Sequence, residues 1–146
     1  MSADQIKKRM REFKDAMESR DVERILSFFT EDAEWQAPEG TFKGKEQMRR
    51  YITWNKQMIP DLKMTESGVK IVVEGEIGVY DHVLSGTVDG SKWSTLALCV
   101  YQFAGDKLKG IRSVYDRLAI AKQVSKGAMA KMAVNGILSS MEKGLH

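Results

Sequence analysis

Between Asp4 and Ser19 the apolar residues Ile6, Met10, Phe13 and Met17 recur at intervals of 4, 3 and 4, which lays them on one face of an amphipathic helix. Lys7, Lys8, Arg9 and Arg11 form its wet face. No aromatic residue is interleaved with them, so the run reads as solvated helix surface and not as a nucleic-acid patch. Asp21 has the chemistry of an N-cap, and Val22, Ile25, Leu26, Phe28 and Phe29 predict a short buried second helix. Thr30-Glu31-Asp32 ends it. Ala33, Trp35 and Ala37 then alternate with Glu34 and Gln36 as a short strand that stops at Pro38-Glu39-Gly40. Helical spacing returns from Lys45 to Met58 through Met48, Tyr51 and Ile52, with Gly44 before it and Pro60 closing it.

The period then changes to two. Val69, Ile71 and Val73 alternate, and Gly75 and Gly78 interrupt the run where a bulge or sharp bend would let a sheet curl into a concave face. Asp89-Gly90, between Val79–Val88 and Ser91–Phe103, is the preferred type I′ hairpin signal. Gly105-Asp106 supplies a second turn before Lys107–Tyr115. Strands of ten or so residues would be about 33 Å long, so in a chain of 146 residues they must bend around something. From Leu118 onward Ile120, Val124, Ala128, Met132, Ile137 and Met141 restore a helical stripe, weakened by Gly127 and Gly136. The pattern predicts an α+β domain: helices against a curved antiparallel sheet around one internal pocket, with an additional C-terminal helix. The division expected is an α+β domain over residues 1–122 and a helical extension of it over 123–146.

Composition narrows the function classes. The chain is 42% hydrophobic and 29% charged, too apolar for disorder and sufficient for one core. Its 23 basic and 20 acidic residues leave a net charge of +3, spread along the chain, so neither nucleic acid nor a membrane surface is an expected partner. No apolar run approaches the roughly 20 residues that span a bilayer. A single cysteine, Cys99, and the lack of a charged and apolar leader point to a cytoplasmic protein without disulfides. Only two histidines, His82 and His146, are present, and no second ligand stands at a recognised spacing, so no metal is expected. No glycine-rich phosphate loop appears, so no cofactor is expected either.

The segment DVERILSFFTEDAEWQAPEG at Asp21–Gly40 and the FKGKEQMRRYI that follows resemble the opening of the nuclear transport factor 2-like superfamily, particularly its SnoaL-like polyketide cyclases and ketosteroid isomerases. The hairpin SGTVDG at Ser85–Gly90 and the strand-turn-strand YQFAGDKLKGIRSVYD at Tyr101–Asp116 extend the resemblance to about residues 5–122. It implies a cone with a pocket. It assigns no reaction, since the superfamily holds enzymes and non-catalytic modules. Steroid isomerisation needs a carboxylate base and two proton donors. The positions that would carry them hold Phe13, Ala37 and Cys99.

Hairpin arithmetic supplies a candidate site. A two-residue turn at Asp89-Gly90 pairs His82 with Ala97 and puts Tyr80, His82, Trp93 and Cys99 on the pocket face. A two-residue turn at Gly105-Asp106 places Arg112 opposite Cys99 and Asp116 opposite Thr95 on that face, so His82 and Asp116 could approach. A one-residue slip would turn Ile111, Ser113 and Tyr115 inward instead. SnoaL-like cyclases use an aspartate near the end of the last strand as acid/base, with a histidine nearby, and Asp116 stands at the matching place. The expected activity is cofactor-free acid–base chemistry of the cyclase or isomerase type on a small apolar carbonyl compound, with Asp116 and His82 catalytic. Trp35, Tyr80, Trp93, Cys99, Tyr101, Arg112, Phe13 and Trp54 would line the pocket. The alternative is a ligand-binding or dimerisation module of the same fold. Leu96, Leu98 and Val100 form an outward apolar stripe, which predicts a homodimer.

Overall fold

A computed structural model describes residues 1–146. Helix α1 (Ala3–Ser19) opens on a capping box in which Ser2 and Gln5 satisfy one another's backbone N–H groups, as the unpaired amides of a first turn require. It buries Ile6, Met10, Phe13, Ala16 and Met17, the stripe its spacing predicts. Helix α2 (Val22–Leu26) is capped by Asp21. Strands β1 (Phe29–Ala37) and β2 (Gly40–Lys43) precede helix α3 (Gly44–Met58), and β3 (Lys63–Glu74), β4 (Ile77–Val88), β5 (Ser91–Ala104) and β6 (Lys107–Tyr115) complete the sheet. Helices α4 (Arg117–Val124) and α5 (Ala128–Met141) follow.

The six strands are ordered β2-β1-β6-β5-β4-β3. All pairs are antiparallel except β1 with β6. Helices α1 and α3 pack on the concave face, and Phe13 at its centre makes edge-to-face contacts with Phe28, Phe29 and Tyr101. These aromatic pairs sit in one cluster of 23 buried residues, so the chain has a single core.

Four expectations change. Helix α2 is shorter than predicted, because Phe29 is drawn into β1 opposite Leu108 of β6 while Phe28 C=O accepts from Leu108 N–H. Strand β2, four residues long, is too short to show a period. Gly78 forms no bulge: a Cβ there would lie 2.3 Å from Met10 Sδ, so it is a close approach of α1 to β4. The irregularity sits earlier in β3, between Glu66 and Ile71. There Asp81 accepts from Ser67 Oγ–H and Val69 N–H. Finally, the C-terminal stripe is two helices, separated at Gly127, whose φ of 81° suits glycine and breaks the helix. No helix is long and apolar enough to cross a membrane.

Candidate active site

The concave face of β4, β5 and β6, with α1, α3 and α4 around it, encloses a cavity of about 290 Å³. Of its 24 lining residues 19 are hydrophobic, so it suits an apolar ligand held by few polar contacts. Space exists because the sheet presents small side chains there, Ala97, Cys99 and Ser113, while Phe13, Trp35 and Tyr101 build the floor.

The Asp89-Gly90 turn has φ of 48° and 79°, the two positive values that a type I′ turn demands, and it sets the expected β4–β5 register with His82 opposite Ala97. His82 is 1% exposed and lines the cavity. Its Nδ1 lies 3.2 Å from Tyr80 C=O. A carbonyl only accepts, so Nδ1 carries the hydrogen and Nε2 is left with a lone pair. Burial pushes the pKa below the ordinary 6.5, against the opposing pull of the Tyr80 carbonyl and of Asp81. The imidazole is therefore a neutral base in an apolar chamber at pH 7.

The β5–β6 hairpin corrects the expected site. Its turn closes as predicted, with Ala104 opposite Lys107, but the register then shifts by one residue between Gln102 and Phe103. Beyond this bulge Cys99 pairs with Ser113 and Ala97 with Tyr115. Ile111, Ser113 and Tyr115 therefore face inward, and Arg112 is exposed on the outer side. Asp116 is exposed too: Oδ1 accepts from the N–H groups of Leu118 and Ala119, both at 2.9 Å, and caps α4. The expected His82–Asp116 pair does not form. Trp35, Trp93, Cys99, Tyr101, Phe13 and Trp54 do line the cavity, whereas Tyr80 stacks behind His82 at 4.3 Å between ring centroids. Burial lifts the Cys99 thiol to about 11, with Ser113 opposing, which keeps it protonated and unreactive.

Sequence reasoning missed the polar group at the other side of the cavity. Tyr51 Oη–H donates to Glu39 Oε2 at 3.2 Å, and Tyr115 Oη–H donates to Glu39 Oε1. Burial, then the Glu39 charge, raises the Tyr51 pKa; burial, then neighbouring Tyr51, raises that of Tyr115. Both phenols stay protonated. Glu39 had been legible only as part of a turn. Asn55 also lines the cavity and bore no motif.

A helix-filled cone of this topology, open to a cavity on its concave face, is the α+β fold of ketosteroid isomerase-like proteins. Solved structures agree. A putative SnoaL-like polyketide cyclase from Jannaschia superimposes with a TM-score of 0.76 at 17% identity, over 87% of this chain and 97% of that one. A ketosteroid isomerase-like protein from Catenulispora acidiphila, in complex with trimethylamine, gives 0.73 at 16% over 79% and 90%. TerC, co-crystallized with polyporic acid, gives 0.71 at 16% over 82% and 97%. At such identities the likeness is one of fold. Residues 10–111 match the SnoaL-like domain, and the chain belongs to that family. No curated protein matches the chain.

Proposed function

We propose that the cavity binds a small, largely apolar carbonyl compound and moves a proton on it, with His82 Nε2 as the general base. The observation that carries this reading is the state of His82: buried, neutral, its tautomer set by Tyr80 C=O, with a free lone pair where proton abstraction would be least competed by water. His82 and Tyr115 flank Ala97 in one cross-strand row, about 10 Å apart at Cα from the strand spacing. A ligand lying over Ala97 would touch both. Abstraction of a proton from the carbon beside a carbonyl gives imidazolium and enolate; return of that proton to another carbon of the conjugated system completes an isomerisation, whereas addition of the enolate carbon to a second carbonyl of the same molecule, whose oxygen then takes the proton, completes a ring closure. The small molecules named in the Catenulispora and TerC complexes support ligand binding by this fold.

The test is exchange of the methyl protons of 2-acetylnaphthalene for deuterium, followed by NMR. The protein accelerates it, His82→Gln returns it to the buffer rate, and Asp116→Ala leaves it unchanged. A second reading, a non-catalytic binding module, is favoured by one observation: no carboxylate contacts His82, whose hydrogen bond runs to a backbone carbonyl. Binding of the ketone without accelerated exchange would select it. On the outer sheet face Leu96 and Leu98 of the expected stripe are 69% and 48% exposed and Val100 is half-buried, with Val114 beside them 65% exposed; a second copy covering them makes the protein a homodimer, which a monomer by light scattering at micromolar concentration would contradict.

A further inference from the structure

Arg20 is a buried cation, 8% exposed, that no carboxylate pairs with. It stands at the C-terminal cap of α1 with φ of 60°, a left-handed conformation that a non-glycine residue seldom takes. Its own N–H and its Nη1 both donate to Met17 C=O, at 3.2 and 3.0 Å. Nη2 donates to Asn55 Oδ1 at 2.6 Å, and Nε is buried without a partner. The acidic residue that acts on it most, Asp61, accepts from Thr87 N–H and Oγ–H instead. Holding an unpaired guanidinium out of water is costly, and the only side chain it contacts through a hydrogen bond is one that lines the cavity.

Guanidinium groups donate and never accept, so the amide atom that meets Arg20 must be the oxygen of Asn55. The orientation of that amide is thereby settled by chemistry. Its Nδ2, with two hydrogens, has no partner in the chain, and Asn55 belongs to the cavity wall. Nineteen of the 24 wall residues are hydrophobic, and Glu39 already accepts two tyrosine hydrogens. An oriented N–H donor backed by a cation is the complement of an electron-rich oxygen.

We infer that Asn55 Nδ2 binds an acceptor oxygen of the ligand, carbonyl or carboxylate, and that Arg20 is the positioning residue that turns the amide toward it and polarises it. This deepens the reading of the cavity as a ligand site, on which it rests. The ligand class it names is an apolar skeleton bearing an oxygen acceptor at the α3 wall.

Three probes of similar shape separate the possibilities: 2-acetylnaphthalene, 2-naphthoate and 2-ethylnaphthalene, with binding read from the fluorescence of Trp35, Trp54 and Trp93 in the cavity wall. Wild-type protein should hold one or both oxygenated probes about ten-fold more tightly than the hydrocarbon, the size of one well-placed hydrogen bond to a polarised group. The ketone gaining alone identifies a carbonyl ligand, and the carboxylate gaining more identifies an acid. Asn55→Leu should erase the preference while leaving 2-ethylnaphthalene affinity within about two-fold. Asn55→Asp, which keeps the shape and can pair with Arg20, should erase it as well and reject 2-naphthoate. Arg20→Leu should reduce the preference and Arg20→Lys restore part of it, a pattern that a purely structural role would not produce. Equal affinity for all three probes in wild-type protein, or an unchanged preference in Asn55→Leu and Asn55→Asp, overturns the assignment while the cavity reading stands. Failure of all three probes to bind removes both.

Discussion

Tyr115 and His82 face each other across Ala97, one side chain from β6 and one from β4, in the same row of the sheet. The methyl group between them is what leaves the cavity open at its most polar section. Ala97→Leu places a side chain in that gap. It should weaken 2-acetylnaphthalene binding by at least about ten-fold while the denaturant midpoint holds or rises, since filling a void adds burial without strain. Fluorescence titration and a urea melt measure the two quantities on one sample.

His82 makes stability depend on pH with a defined sign. Its folded pKa is lowered by burial below the ordinary 6.5, so under mildly acidic conditions the unfolded chain binds the proton first. The contribution of the neutral imidazole is complete above about pH 6.5 and is lost as pH falls toward the folded pKa. Unfolding free energy measured between pH 7 and pH 5 should decline in the wild type, and His82→Gln should flatten that decline. A steeper fall in the variant would show that the imidazole is not held neutral.

Asp116→Ala tests the cap against the catalytic role that the resemblance implied. Oδ1 meets two first-turn N–H groups of α4, so the variant should lose about 1 kcal/mol of stability and none of the exchange activity. Loss of exchange without loss of stability would restore Asp116 to the chemistry.

Glu39 accepts from both Tyr51 and Tyr115, and the folded protein holds both phenols above their ordinary 10.0. Stability from this cluster is therefore present below pH 10 and lost above it, where the unfolded chain releases its protons first. With the carboxylate charge removed in Glu39→Gln, Tyr51 should ionise at lower pH than in the wild type, seen by ultraviolet difference titration. An unchanged titration would mean that burial alone sets it.

Gly86 lies where Ile59 and Trp93 close on β4: a Cβ there would meet Ile59 Cγ2 at 2.4 Å and Trp93 at 3.3 Å. Gly86→Ala should cost about 1–3 kcal/mol by overpacking, measured by urea unfolding. A neutral result would show that the loop after α3 yields freely.

The α1 stripe and the β4–β5 register were legible because a 3.6-residue period and an Asp-Gly turn are local signals. The shift of Cys99 from Arg112 to Ser113 was not. The turn at Gly105-Asp106 is as expected, and the flip comes from one extra residue in β6 between Leu108 and Gly110, where Lys109 looks like any exposed strand position. One such residue exchanged a proposed Arg112/Asp116 site for Ser113 and Tyr115. The Glu39–Tyr51–Tyr115 cluster joins a turn, a helix and a strand far apart in sequence, and no spacing rule brings them together. The Arg20–Asn55 contact likewise depends on how α1 meets α3.

Proton abstraction in the cavity requires a neutral His82 with its hydrogen on Nδ1. NMR of the imidazole nitrogens at pH 7 reads that state directly. Hydrogen on Nδ1, a bare Nε2 whose resonance moves when 2-acetylnaphthalene binds, and a midpoint below 6.5 are the predicted result. Hydrogen on Nε2, or a charged ring at pH 7, would contradict it.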